Sequence, residues 1–310
     1  MSLHLFGNIV THHGTAANNR GENEGNLTTL QKLIWHGQVH STVSAEAIRF
    51  ALRRRMLEDR QNLNRVWDED ARCNRWQDPT FASFADYMDS DLLGFMSADA
   101  AKEETDPGEG NGEGGEGKKK KAKGTATVRR SVLEVTRAVS LLPWFGDVAF
   151  GAASPGATPS AAKKGVNPVP YSGELHATRY QYGFALTPER LHDASRALLA
   201  LRYLASLGPV AGNHARFFYD FSPESLVLRI TQDPSPRILY CFELEDGQPR
   251  LATLLARVRS GDVLPSEIYV GGAVATTQEA KELAGLGCCV EPGVKGTVER
   301  AVAQAPQSPK

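Results

Sequence analysis

A change of period at Ser44 constrains this chain more than any other feature of its 310 residues. From Leu27 to Val43 the pattern is that of extended chain, broken at Gly37. Beyond Ser44, the residues Ala45, Ile48, Ala51, Leu52 and Met56 recur at helical spacing. A strand that passes into an amphipathic helix needs a sheet for the one and a covering layer for the other, so an α+β fold follows. Ser44 with Glu46 falls one residue short of a capping box, yet a serine is a good N-cap by itself. The helix carries Arg49, Arg53, Arg54, Arg55 and Arg60, and Arg49 and Arg53 lie one turn apart, away from the apolar stripe. A helix N-terminus, hydroxyls and guanidiniums at one sheet edge suit a phosphate backbone better than a small neutral metabolite. An amphipathic helix with solvated arginines is the plainer account of the same residues.

Along the rest of the chain, Ser2 to His13 reads as a first strand and Gly14 to Asn26 as a loop. The helix after Ser44 is expected to run to about Asn64. The stretch from Trp67 to Pro79 reads as irregular, and Phe81 to Met96 as a short helix followed by a strand at Leu92–Met96. Residues 102–124 are rich in Gly, Glu and Lys and poor in apolar side chains, so they cannot offset the entropy of ordering and are expected to be disordered. Thr127 to Pro143 reads as one long strand, and Phe145 to Gly173 as a protruding excursion rich in Ala, Gly, Ser and Pro. A strand over Leu175–Leu186 and a helix from Pro188 to about Leu207 follow, the helix with a stripe of Leu191, Ala194, Leu198, Leu201 and Leu204. Strands are expected near Leu226–Thr231, Ile238–Glu243 and Glu267–Val270, a helix at Leu251–Arg259, and fraying from Ala303. Two helices on one face of a largely antiparallel sheet make a ferredoxin-like core of the kind RNA-recognition modules use.

Bulk properties exclude several classes. No run of about 18 apolar residues is present, so no membrane span or membrane partner is expected, and the N-terminus lacks the pattern of a secretory signal. Cys73, Cys241, Cys288 and Cys289 have no zinc spacing, and a reducing cytoplasm fits them best. Net charge is −1. Seven acidic residues fall between Asp99 and Glu116, so the remainder is mildly basic, which permits RNA binding without requiring it. The Lys118–Lys121 run either touches nucleic acid or solvates its loop.

Catalytic, cofactor and metal patterns are absent from the sequence. There is no phosphate-binding glycine loop, no nucleophile elbow and no His-Glu pair at metal-protease spacing. His36 and His40 lie on extended chain, where helical chelate spacing does not apply. Glu22 and Glu24 in the early loop could in principle assist attack by a 2′-hydroxyl, but two glutamates among Gly and Asn are ordinary loop residues. The expectation is no enzyme, with an RNA-cleaving protein using Glu24 or His13 as the alternative, and a structural interaction protein without RNA as a third class.

Three segments carry a resemblance. Asn18-Asn19-Arg20 resembles an Asn-x-x-Arg-like segment after a first strand, Val43 to Arg53 resembles a Ser-Ser-Gln segment with trailing basic residues, and Asp91 to Met96 looks like an Asp-x-Leu-Phe-Gly-x-Met segment. Their order and spacing are similar to those of the backbone subunit of type I CRISPR surveillance complexes (Cascade), in the DevR-like branch of the repeat-associated RNA-binding superfamily, with subtype I-B the best fit. The resemblance implies a single elaborated domain shaped like a right hand. Its palm would take 1–64, 127–142 and 175–300, a helical fingers insertion 65–126, and a thumb 143–174 with Trp144 or Phe145 near its base.

The resemblance also implies the partners: CRISPR RNA, a target DNA strand paired to that guide, further copies in a helical filament, a large subunit and a subunit capping the RNA 5′ end. The implied RNA-binding residues are Asn18, Asn19, Arg20, Lys32, Ser44, Glu46, Arg49 and Arg53. Two departures stand out. Glu46 replaces a neutral amide, and a carboxylate only accepts hydrogen bonds and repels phosphate. Ala45 replaces a serine. The early loop has no aspartate of the kind that cuts RNA in type III relatives, so target cleavage by this chain is not expected. Binding should rest on backbone charge and shape, with sequence read by base pairing.

Overall fold

The computed structural model describes residues 2–17, 23–98, 126–154, 156, 169–212 and 216–304. Asn18, Asn19, Arg20 and the lysine run at 118–121 lie outside them.

Nine strands form one sheet: β1 (His4–Thr11), β2 (Lys32–Trp35), β3 (Gln38–Val43), β4 (Leu133–Val135), β5 (Ala138–Ser140), β6 (Tyr180–Leu186), β7 (Pro223–Thr231), β8 (Ile268–Gly272) and β9 (Cys289–Glu291). Their order is β9-β8-β7-β1-β6-β5-β3-β2, with β4 also on β6. Only the β8–β9 pair is parallel. Among the described residues six α-helices accompany them: α1 (Ala45–Glu58), α2 (Met88–Leu93), α3 (Arg196–Ala205), α4 (Ala252–Arg259), α5 (Gln278–Gly285) and α6 (Val294–Gln304). None of the helices among the described residues is long and apolar enough to cross a membrane.

Alternation along the strands feeds two apolar layers. On one face Leu5, Ile9, Tyr182, Phe184, Leu226 and Leu228 meet α1, α3 and α6. On the other, Phe6, Val10, Val227 and Val270 meet α4 and the segment around Ile238 to Phe242. The apolar stripe expected for α1 is observed at Ile48, Ala51, Leu52 and Met56, all buried. Truncating any of the larger three to Ala would cost about 2–5 kcal/mol.

Short ribbons decorate this frame. Val148–Ala153 pairs with Val169–Glu174, which continues in parallel onto Leu27–Thr28. His176–Thr178 pairs with Gly14–Ala16. The early loop is therefore laced at its far end to the excursion that follows Phe145 and at its near end to the strand just after that excursion. The described part of 65–126 is two ribbons, at Arg65–Asp68 with Cys73–Trp76 and at Phe95–Ala98 with Ala126–Arg129, around the six-residue α2. It is thus more ribbon than helix.

Several sequence expectations are corrected. Helix α1 ends at Glu58. Helix α2 runs on to Leu93, so the strand after it begins only at Phe95. The long strand from Thr127 is broken in three, and one break is an irregularity at Thr136-Arg137. Val135 lies opposite Phe184 and Val139 opposite Gln181, four steps against three, so the chain carries one extra residue there. The helix expected from Pro188 starts only at Arg196, because His192 and Asp193 give their N–H groups to the Asp91 carboxylate instead of to a helix. Its buried stripe is Ala197, Ala200, Leu201 and Leu204, and Ala194 is exposed. Tyr240 adopts φ of 53°, which interrupts the strand expected over Ile238–Glu243, and only Glu243 of that span joins a strand, the short Glu243–Glu245. The C-terminal unit β8-α5-β9-α6 has two helices that the pattern did not reveal, and α6 extends past Ala303 to Gln304.

Candidate nucleic-acid interface

Ser44 sits in extended conformation at the start of α1, and its hydroxyl accepts the Ala47 N–H at 3.2 Å. Glu46 is exposed in the first turn, where a carboxylate complements the positive end of the helix. Those two side chains stand where the sequence places them.

Arg49 and Arg53 do not point outward as their helical spacing implied. Both are half-buried against α2. Arg49 donates to the Leu93 carbonyl, and Arg53 Nε lies 3.5 Å from Asp89 Oδ2. Burial pulls the Arg53 guanidinium down to about 10 despite the Asp89 charge beside it, and burial likewise lowers Arg49 against the opposing pull of Glu46. The acceptors that draw them inward lie on α2: the Leu93 carbonyl for Arg49 and the Asp89 carboxylate for Arg53, while the second carboxylate, Asp91, gathers other donors. Asp89 accepts the N–H groups of Asn64 and Arg65 at 2.8 and 3.2 Å. Asp91 is fully buried and takes Arg129 at 2.5 Å, Arg196 at 2.8 Å, and the N–H groups of His192 and Asp193 at 3.0 and 3.3 Å. A carboxylate without solvent requires this many donors.

The segment Asp91 to Met96 is thus a staple that ties α3 and the ribbon at Ala126–Arg129 to α1. Gly94 ends α2 at φ 65°, and a Cβ there would lie 2.3 Å from the Arg129 carbonyl oxygen, so only glycine lets the ribbon come that close.

Lys32 is also engaged. Its Nζ lies 2.5 and 2.7 Å from the Glu174 carboxylate and 4.0 Å from the centre of the Trp144 ring. Glu174, itself buried, accepts the Leu30 N–H at 2.6 Å, and Trp144 donates from Nε1 to the Leu175 carbonyl at 2.8 Å. These contacts clasp the base of the 143–174 excursion to the sheet edge. Phe145 beside it is 86% exposed.

Next to the clasp, a polar network fills the interior. Ser41 Oγ lies 2.7 Å from His176 Nδ1 and 2.6 Å from the Tyr180 hydroxyl. Burial holds the His176 imidazole near 4, so it is neutral at physiological pH. Of the residues weighed for cleavage, His13 and Glu24 are both exposed, and Glu24 lies in the short strand paired with Leu27. Among the described residues no group of three or more His, Cys, Asp or Glu side chains could hold a metal ion. The burial of Arg49, Arg53 and Lys32 could not be read from spacing, because their partners lie 36 to 142 residues away in sequence; the acidic pair Asp89 and Asp91 in an apolar segment was the available signal.

No family model matches the chain. In solved structures, a chain of a "CRISPR RNA-guided surveillance complex, pre-nicking" superposes with a TM-score of 0.58 at 10% identity, over 98% of this chain and all of the other. A chain of a second CRISPR RNA-guided surveillance complex gives 0.56 at 14% identity, over 97% of this chain and all of the other. At these identities the likeness is one of fold. The CRISPR-associated protein Cas7/Cst2/DevR of Myxococcus xanthus (strain DK1622) is 58% identical over 290 residues, which are 91% of this chain and 90% of that protein. This chain therefore belongs to the Cas7/Cst2/DevR family of CRISPR-associated proteins.

Proposed function

We propose that this chain is a non-catalytic RNA-binding subunit that coats CRISPR RNA, assembles along it with further copies of itself, and presents the guide to a target DNA strand. The 58% identity along almost the whole chain carries this reading, and the fold likeness to chains of RNA-guided surveillance complexes supports it. The strand order adds support. The four strands β7-β1-β6-β4/β5 pair antiparallel, with α1 between β1 and β4 in sequence and α3 between β6 and β7. That arrangement supports reading this part as a ferredoxin-like palm. Around it we assign the fingers to 65–126 and the thumb to 143–174.

For the RNA contacts we propose the loop Asn18-Asn19-Arg20 together with Ser44 and Glu46. Arg49, Arg53 and Lys32 hold the elements that carry those contacts. A large subunit and a 5′-end-capping subunit complete the complex, in the cytoplasm.

The test is purification of the complex from its native operon, followed by nucleic-acid absorbance and electron microscopy. A curved array of repeated subunits on RNA is the expected result. A monomer without RNA that also fails to bind added guide RNA would overturn the reading. RNA cut by the purified chain, with cutting lost in Glu24→Ala or His13→Ala, would replace it with the nuclease alternative.

A further inference from the structure

Arg137 stands at the break between β4 and β5, where the extra residue turns the strand's side chains out of register. Its side chain is exposed. The guanidinium nevertheless has a fixed place, because Nη1 donates to Gln31 Oε1 and to Thr42 Oγ1, each at 3.1 Å. Among the described residues these partners are neutral, whereas Arg53, Arg129, Arg179, Arg196 and Arg229 are all paired with carboxylates. An exposed, pre-oriented guanidinium with an uncompensated charge is built for an anion.

The surroundings indicate which anion. Opposed residues share a sheet face, and Thr42 and Trp35 fall on the same face of the β2–β3 hairpin. On that side Tyr240 donates to the Arg137 carbonyl at 3.0 Å, and its ring centre lies 4.9 Å from that of Trp35. Both aromatic residues are half-buried and present part of their surface to solvent. A fixed guanidinium followed by an aromatic pair matches a phosphodiester strand with unpaired bases, because bases stack on such rings only when they are not in a duplex.

We propose that Arg137 holds the phosphate backbone of single-stranded RNA at the β3–β5 end of the sheet, with Gln31 and Thr42 as its positioning residues. The inference rests on the RNA-binding function proposed above and adds a contact on the face opposite α1.

The test measures anisotropy of two fluorescein-labelled single-stranded RNAs of unrelated sequence, titrated with the full-length chain over a range of salt. Arg137→Gln removes the charge and, being two bonds shorter, also gives up the contacts to Gln31 and Thr42. It is expected to weaken both RNAs about tenfold and to flatten the dependence of log affinity on log salt by about 0.7, the share of one phosphate on a single strand. Arg137→Lys keeps the charge, and is expected to keep the salt slope while losing about threefold in affinity. Arg202→Gln, an exposed change on α3, should alter neither. Wild type that binds both RNAs while Arg137→Gln stays within twofold with an unchanged slope overturns this inference alone. Wild type that binds neither RNA overturns the proposed function and this contact with it. If Arg137→Gln fails to fold, Arg137→Lys decides: an affinity equal to wild type overturns the contact.

Discussion

The arginines around α2 and the arginine between β4 and β5 are the same side chain used in opposite ways. Arg53, Arg129 and Arg196 converge on the carboxylates of Asp89 and Asp91, inside the molecule. Arg137 is braced by a neutral amide and a neutral hydroxyl, at the surface. The first group has its charge cancelled locally and acts on the fold. The second keeps its field for a ligand. Helical spacing cannot separate these cases, since it reports which residues share a face and not what lies opposite that face. The partner determines the role.

The strongest way to break this contrast is to remove the carboxylate that organises the inner group. Asp91→Ala leaves two guanidiniums and two backbone N–H groups without their acceptor in a buried place. A loss of about 3–5 kcal/mol is expected, read from the denaturant midpoint or from failure to yield folded protein. A loss below 1 kcal/mol would mean that the staple is not what joins α1, α3 and the ribbon. Next in size is the clasp. Glu174→Ala removes the acceptor of Lys32 and of the Leu30 N–H, at a cost of about 2–3 kcal/mol. Limited proteolysis should then cut within 143–174 sooner than in wild type, and equal cutting rates would show that the clasp does not hold that excursion. Arg53→Ala follows, with about 1–3 kcal/mol of stability lost. Its effect on RNA affinity should be less than threefold once the protein is folded, and a tenfold loss at unchanged stability would return Arg53 to the RNA surface.

How much of this was legible beforehand follows the same division. The period change at Ser44 identified β3, the serine cap and the buried stripe of α1, because all three are local in sequence. The segment Asp91 to Met96 was visible as a pattern, but its meaning was not, since the arginines it gathers come from positions 129 and 196. The same carboxylate delayed the start of α3: Pro188 and the leucine spacing favoured a helix, and two hydrogen bonds to a distant buried acceptor overrode them. The break at Thr136-Arg137 was hidden because an extra residue in a strand changes the pairing without changing composition. Lys32 looked like a ligand-binding cation, and only the fold brings Glu174 to it from 142 residues away.

A smaller effect concerns the neutral network between the two regions. His176 titrates near 4 in the folded chain against an ordinary value of 6.5, so folding disfavours its protonated form. Its contribution is fully present above pH 6.5 and is lost as the pH falls from 6.5 toward 4. Tm should therefore drop by about a few degrees between pH 7 and pH 5, and His176→Gln should flatten that part of the profile. A profile with the same slope in the variant would assign the acid sensitivity to other groups.

Glu46 provides the finest adjustment, because it sits at the border between the two uses of charge. In the first turn of α1 its carboxylate favours the helix by about 0.3–1 kcal/mol. Facing a phosphate strand, the same charge opposes binding and offers no donor. Glu46→Gln should therefore lower stability slightly while raising RNA affinity about twofold, with the gain largest at low salt. The two changes have opposite signs, which a variant that merely loosened the helix could not produce. Loss of affinity together with loss of stability would show that the carboxylate acts only through the helix, and an unchanged affinity would show that the RNA passes elsewhere.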